Sequence, residues 1–198
     1  MLRRAVLIPG SGPSHDGFTT PFGSATDLPI LVAAIALGWW YIASSQRISR
    51  EHPTQPWAVR RTWLFFSGLG LATVTTVGPI GVLAMDRFAW HMVQHIALMM
   101  VATPLMVLGA PVLLALRSVD ADTRRRVLVP LLRSRVFAIV TNPAVAWILF
   151  AVTLVGIHFT PAMDTLMSWG IVGHYVELGL YVAVAFCFYY RLLPANPS

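Results

Sequence analysis

Apolar residues in this chain fall into blocks long enough to cross a bilayer as helices, and short arginine-bearing segments separate the blocks. Inside hydrocarbon a chain must satisfy its own backbone hydrogen bonds, so such blocks become helices packed in a bundle. The charge content agrees: 11% of the 198 residues are charged, where a soluble domain uses about 25%. The expected fold is all-α, a polytopic transmembrane helical bundle. Water-soluble enzyme folds, disulfide scaffolds and disordered tails fit this pattern poorly. Cys187 is the only cysteine, which leaves no internal disulfide and no CxxC metal motif. The net charge of +6 sits largely in loops between apolar blocks. That is the pattern of membrane orientation and argues against a nucleic-acid partner.

About five crossings are expected. Residues 1–27, rich in Gly, Ser, Thr and Pro, read as an extracytoplasmic tail without an adequate signal-peptide core. Residues 28–192 read as the transmembrane domain and 193–198 as a C-terminal tail. The first helix is expected over Leu28–Ala43, with Asp27 as N-cap and Pro29 in the first turn. The second spans Thr62–Ala84, with a kink or early exit near Gly78. The third spans Ala89–Leu108, bent at Pro104 and ended or bent again at Gly109-Ala110-Pro111. The fourth opens at Pro143 behind Asn142 and ends near His158–Thr160; the fifth covers Ser168–Tyr190. Within Arg117–Arg135 the apolar Val127, Leu128, Leu131 and Leu132 suggest an amphipathic piece on the membrane surface.

Charge sets the topology. Segment Ser44–Arg61 carries a net +3 and segment Arg117–Arg135 a net +4. Both are expected on the cytoplasmic side, against anionic lipids. Two crossings separate them, so they do share a side. The N-terminus is then outside and the C-terminus, with Arg191, is cytoplasmic. The turns bearing Asp86 and Asp164 face outward.

Under this topology His91 and His95 of the third helix, His158 of the fourth and His174 of the fifth collect at the outer leaflet. None of the four was used to set the topology. His91 and His95 are four apart and share a helix face, as do His174 and Glu177, three apart. His95 and His174 each lie ~9 Å past the start of their helix, beneath the headgroup boundary. Polar groups at that depth are costly unless paired and mark functional sites. A cluster of neutral imidazoles suits copper, zinc or iron, and nearby methionines would suit copper(I). The first-choice ligands are His91, His95 and His174, with His158 the fourth and Glu177 as a ligand or an orienting acceptor; Asp86, Asp164 or Gln94 could also serve as acceptors that fix the imidazole tautomers. Hydrogen bonding between helices, haem ligation, and a proton or quinone route through Glu177 remain open on the residues alone. The methionines read as packing. His52 falls on the opposite side.

The run Ala89-Trp90-His91-Met92-Val93-Gln94-His95, followed by Thr103-Pro104-Leu105 and Leu108-Gly109-Ala110-Pro111, resembles the CtaG/Caa3-type cytochrome c oxidase assembly family. His158 with Pro161, and the pair His174-x-x-Glu177, are also similar to that family. Leu178 stands where the family commonly places a further histidine. The resemblance implies a multi-pass protein of the bacterial inner membrane that helps assemble a haem–copper terminal oxidase. It implies copper as the metal, bound and delivered at the outer face, with oxidase subunits or a periplasmic copper carrier as partners. It implies no enzymatic turnover. The alternatives are a metal-free accessory subunit of a respiratory oxidase and a bis-histidine haem protein.

Overall fold

A computed structural model describes residues 27–77 and 79–193, and the two expected tails lie almost wholly outside them. The described chain is all-α. Helix α1 is Leu28–Glu51, α2 is Val59–Val77 and α3 is Pro79–Asp86. Helix α4, Phe88–Ile96, continues through a wider π-helical stretch at Ala97–Ala102 into α5, Thr103–Leu108, and α6 is Pro111–Ser118. Short α7 (Ala121–Thr123), a second π stretch (Arg124–Leu128), α8 (Val129–Leu132) and α9 (Arg135–Val140) lead to α10, Pro143–His158. Helices α11, Ala162–Ser168, and α12, Ile171–Leu192, complete it.

Three of these stretches are long and apolar enough to cross a membrane: Leu28–Glu51, Phe88–Ser118 and Val172–Leu192. Pro143–His158 is apolar but shorter. Their outward faces carry exposed Val32, Ile35 and Trp39 on α1 and Val152 and Val155 on α10. That is the dress of a lipid-facing surface.

Several boundaries differ from expectation for local reasons. Helix α1 runs to Glu51 instead of Ala43, because Ser45 and Ser49 donate their hydroxyls to Ile42 O and Ser45 O and leave the ladder intact. Its buried residues Gly38, Tyr41, Ser44, Ser45 and Ile48 keep one stripe along that whole length. Asp27 holds the N-cap position without capping. Its carboxylate accepts instead from Tyr175 Oη at 3.0 Å. The expected loop around Asp164 contains a helix, α11, and α12 begins at Ile171, three residues after Ser168. The fourth helix starts where expected, with Asn142 Oδ1 accepting from the backbone N–H of Ala144 and Val145.

The prolines act as anticipated. Helix α2 stops at Val77 and α3 restarts at Pro79. Pro104 has no N–H for the Met100 carbonyl, and the winding widens just before it, where Thr103 Oγ1 donates to Leu98 O at 2.8 Å. Ala110 takes a left-handed conformation, φ 53°, before Pro111 reopens the helix. At this break Tyr41 Oη donates to Gly109 O at 2.8 Å, while the Tyr41 ring stacks on Phe65 at 4.0 Å. Close approach of α2 to α5 depends on Gly68, where an added Cβ would lie 2.5 Å from Ala102 O.

The two basic segments meet at one end of the bundle. Arg117 Nη2 reaches Gln55 O at 3.5 Å, and the guanidinium groups of Arg61 and Arg117 lie 5.1 Å and 6.0 Å from the centre of the Trp57 ring. The segments therefore share a side, as their charge requires. The opposite end, where Asp27 meets Tyr175, holds the histidines.

Candidate metal centre

Helix α12 supplies the centrepiece. Its buried residues His174, Glu177 and Tyr181 recur at spacings of three and four, which puts them on one face, and Glu177 is fully buried. Helix α4 brings His91 and His95 against that face, one turn apart and 5% and 1% exposed. The last residue of α10, His158, closes the group from the third side.

The donor atoms converge. His91 Nε2 and His95 Nε2 are 2.8 Å apart. They lie 3.6 Å and 3.4 Å from Glu177 Oε1, and His158 Nε2 lies 3.8 Å from the same oxygen. One donor atom from each of these four residues falls within 4.8 Å of the other three. Metal–nitrogen bonds of about 2.0–2.1 Å put neighbouring donors on one ion about 2.9–3.4 Å apart. The spacings of 2.8 Å and 3.4 Å lie close to that range and those of 3.6 Å and 3.8 Å exceed it, so an ion there would draw the wider pairs inward. His174 also reaches the cluster, but its Nδ1 faces the other carboxylate oxygen, Glu177 Oε2, at 3.7 Å. All five expected residues thus meet at one end of the bundle, and His158, which the sequence ranked behind His174, stands in the tightest foursome.

Hydrogen-bond satisfaction is poor here and nowhere else among the described residues. The buried side-chain atoms without a partner are Gln94 Oε1, His95 Nδ1, His158 Nε2, His174 Nδ1 and both oxygens of Glu177. Each such atom costs about 1–3 kcal/mol when left unmade, and native interiors rarely tolerate several together. Five of these six belong to the expected ligand set. A cation among three imidazoles and a carboxylate would satisfy His158 Nε2 and Glu177 directly, so the residues present fit a metal ion.

The surroundings fix His158. Its Nδ1 lies 2.9 Å from Leu154 O and 3.0 Å from Tyr181 Oη. A proton on Nδ1, donated to the Leu154 carbonyl, leaves the Nε2 lone pair facing the cluster. Sequence reasoning missed Tyr181. Its spacing of four from Glu177 was the available signal. Phe88 was also missed: three residues before His91, its ring lies 6.3 Å from that of His91 and 6.2 Å from that of His158.

Two further expectations resolve differently. Gln94 is no acceptor for the histidines; its Nε2 donates to Thr75 O at 2.9 Å. That carbonyl would pair with the N–H four residues on, which is Pro79 and has none. Leu178 is buried and lines an apolar cleft with Ile30, Ala34 and Leu98. It sits about 100° around α12 from Glu177, so the missing histidine takes nothing from this foursome. Met99 packs in the core with Ile157 and Tyr181, as a filler.

Comparison with known proteins gives a family. The family described as "Cytochrome c oxidase caa3 assembly factor (Caa3_CtaG)" matches residues 39–198. An uncharacterized protein of Mycobacterium leprae (strain TN) is 31% identical over 180 residues, covering 87% of this chain and 27% of that protein. An uncharacterized protein of Mycobacterium tuberculosis (strain CDC 1551 / Oshkosh) is 30% identical over 180 residues, covering 87% and 26%. The chain spans about a quarter of the length of these relatives. No solved structure matches.

Proposed function

The chain belongs to the cytochrome c oxidase caa3 assembly factor family, and from that premise we propose that it binds copper at the outer end of its bundle for a haem–copper oxidase. It is a multi-pass protein of the bacterial inner membrane. The observation that carries the reading is the convergence of His91, His95, His158 and Glu177, each bringing one donor atom within 4.8 Å of the others. His174, beside the second carboxylate oxygen, is the fifth candidate ligand.

Imidazole nitrogen with one carboxylate oxygen suits copper and also zinc; a role in assembling a cytochrome c oxidase is what supports copper in this reading. Four donors within 4.8 Å favour an ion over a porphyrin, which needs its two axial imidazoles on opposite faces of a wide ring. The role we infer is holding a metal and handing it on, without turnover, as befits an assembly factor. The recipients are the oxidase's own subunits, or a periplasmic carrier stands between. The arrangement we infer is five crossings with the N-terminus outside, which places the centre at the periplasmic leaflet and Arg61, Arg117 and the Arg124–Arg126 run at the anionic inner one.

The test is metal analysis of the full chain purified in mild detergent after growth with copper. Near-stoichiometric copper, lost on joint His91→Ala and His95→Ala replacement, is the expected result. Zinc in its place would correct the metal. Protein that stays metal-free under copper-replete conditions would overturn the proposal in favour of an accessory subunit.

A further inference from the structure

Two apolar clefts at the basic end share a wall. The first, of about 390 Å³, lies between the transmembrane helices and the short segments α8 and α9; its lining includes Trp40, Met106, Val112, Leu131 and Phe186. The second, of about 300 Å³, adjoins it through Leu116, Leu132 and Phe137, and its lining adds Tyr190, Arg133 and Arg191. Arg133 follows the last turn of α8 and Arg191 lies in the last turn of α12. Both are exposed, and neither has an ion-pair partner among the described residues.

We propose that this double cleft is a binding site for one anionic phospholipid, with an acyl chain along the apolar part and the phosphate between Arg133 and Arg191. The charge is complementary: the site joins hydrocarbon walls to two guanidinium groups and presents no carboxylate. Guanidinium binds phosphate oxygens in a fixed fork. Position agrees as well. The roof of the larger cleft is built from the arginine-rich amphipathic segment, whose other face leaves Val127, Val136 and Ile139 exposed. Such a segment lies at the headgroup boundary, where acyl chain and phosphate meet. Basic pockets between helices on the cytoplasmic side are where phosphate headgroups settle. The proposal stands apart from the metal reading and shares no residue with it.

The experiment is native mass spectrometry of the full chain released from detergent and titrated with dioleoyl phosphatidylglycerol, dioleoyl phosphatidylcholine or inorganic phosphate. One phosphatidylglycerol should be retained in preference to phosphatidylcholine. The pair Arg133→Gln and Arg191→Gln should weaken it roughly tenfold, as expected for two surface arginines, and leave phosphatidylcholine unchanged. Leu132→Trp, which fills the shared wall, should weaken both lipids. Arg124→Gln with Arg125→Gln removes the same charge from the neighbouring π stretch, but neither residue lines the cleft, so retention should change far less. Equal loss in the two arginine pairs would reduce the effect to diffuse charge and overturn the proposal. So would equal retention of the two lipids, no retention of either, or displacement of phosphatidylglycerol by equimolar inorganic phosphate.

Discussion

Tyr181 places its hydroxyl 3.0 Å from Nδ1 of His158, the ring nitrogen turned away from the cluster. The tyrosine therefore acts on the centre through the histidine it orients, while its own ring rests on His95 with centroids 4.5 Å apart. Partners of this kind typically change metal affinity 10–100-fold. Because Leu154 O also holds Nδ1 at 2.9 Å, Tyr181→Phe should weaken metal binding by about tenfold. Competition against a chelator in detergent would measure this, with Tyr189→Phe as a control. Unchanged affinity would make Tyr181 a packing residue.

Glu177→Gln keeps the volume of the central side chain and removes its charge. With every imidazole of the foursome 3.4–3.8 Å from Glu177 Oε1, metal retention should fall by at least about tenfold, more than a peripheral partner would cause. Elemental analysis after dialysis against a weak chelator reads the loss. Full retention would leave the three histidines as the whole site.

The bond from Gln94 to Thr75 O replaces the one Pro79 cannot give. Gln94→Leu should destabilise the protein by about 1–3 kcal/mol, the penalty for an orphaned buried carbonyl. In a Pro79→Ala background, where an N–H is restored, the same change should cost less. Thermal unfolding of the four proteins forms a double-mutant cycle, and strict additivity would refute the assignment.

Gly68 lets α2 approach α5 to backbone contact. Gly68→Ala puts a Cβ 2.5 Å from Ala102 O and 2.8 Å from Met106 N. Backbone cannot give as a flexible side chain would, so a loss of about 1–3 kcal/mol is expected. Gly70→Ala, where an added Cβ meets nothing within 4 Å, should be tolerated. A comparable melting shift in both would show that Gly68 acts through helix propensity alone.

Asp120 starts α7 outside the membrane-spanning stretches. The backbone N–H of Thr123, then its side chain and the N–H of Asp122, hold the carboxyl below the usual carboxylate range. A lowered value stabilises the folded turn above the unfolded carboxyl's value, near pH 4. That contribution fades as pH falls through the lowered value. Protection of the Thr123 amide in hydrogen exchange should therefore drop on acidification, and Asp120→Asn should remove the step.

Legibility from sequence followed the range of the interaction. The start of α10 was readable because Asn142 and Pro143 act on their own first turn. The gathering of the histidines was readable because arginine counts in two loops fix which helix ends lie together. Gln94 was misread, since its partner lies 19 residues away at a break it does not itself create. The order of His158 and His174 depends on how α10 and α12 are rotated against α4, which periodicity leaves free. The extension of α1 to Glu51 was missed because serines were read as loop residues, yet Ser45 and Ser49 bond to the helix's own carbonyls. Leu178, by contrast, was decidable from the 100° step between helix neighbours.

The foursome is assembled from residues 91, 95, 158 and 177 on three separate helices. During translation the imidazoles of α4 enter the bilayer long before α12 arrives with the carboxylate that all three face. A chain interrupted before Glu177 carries the imidazoles of His91, His95 and His158 without the carboxylate that all three face. The complete cluster is thereby tied to completion of the fold, because a copy that stops short of Glu177 lacks the group around which the imidazoles gather.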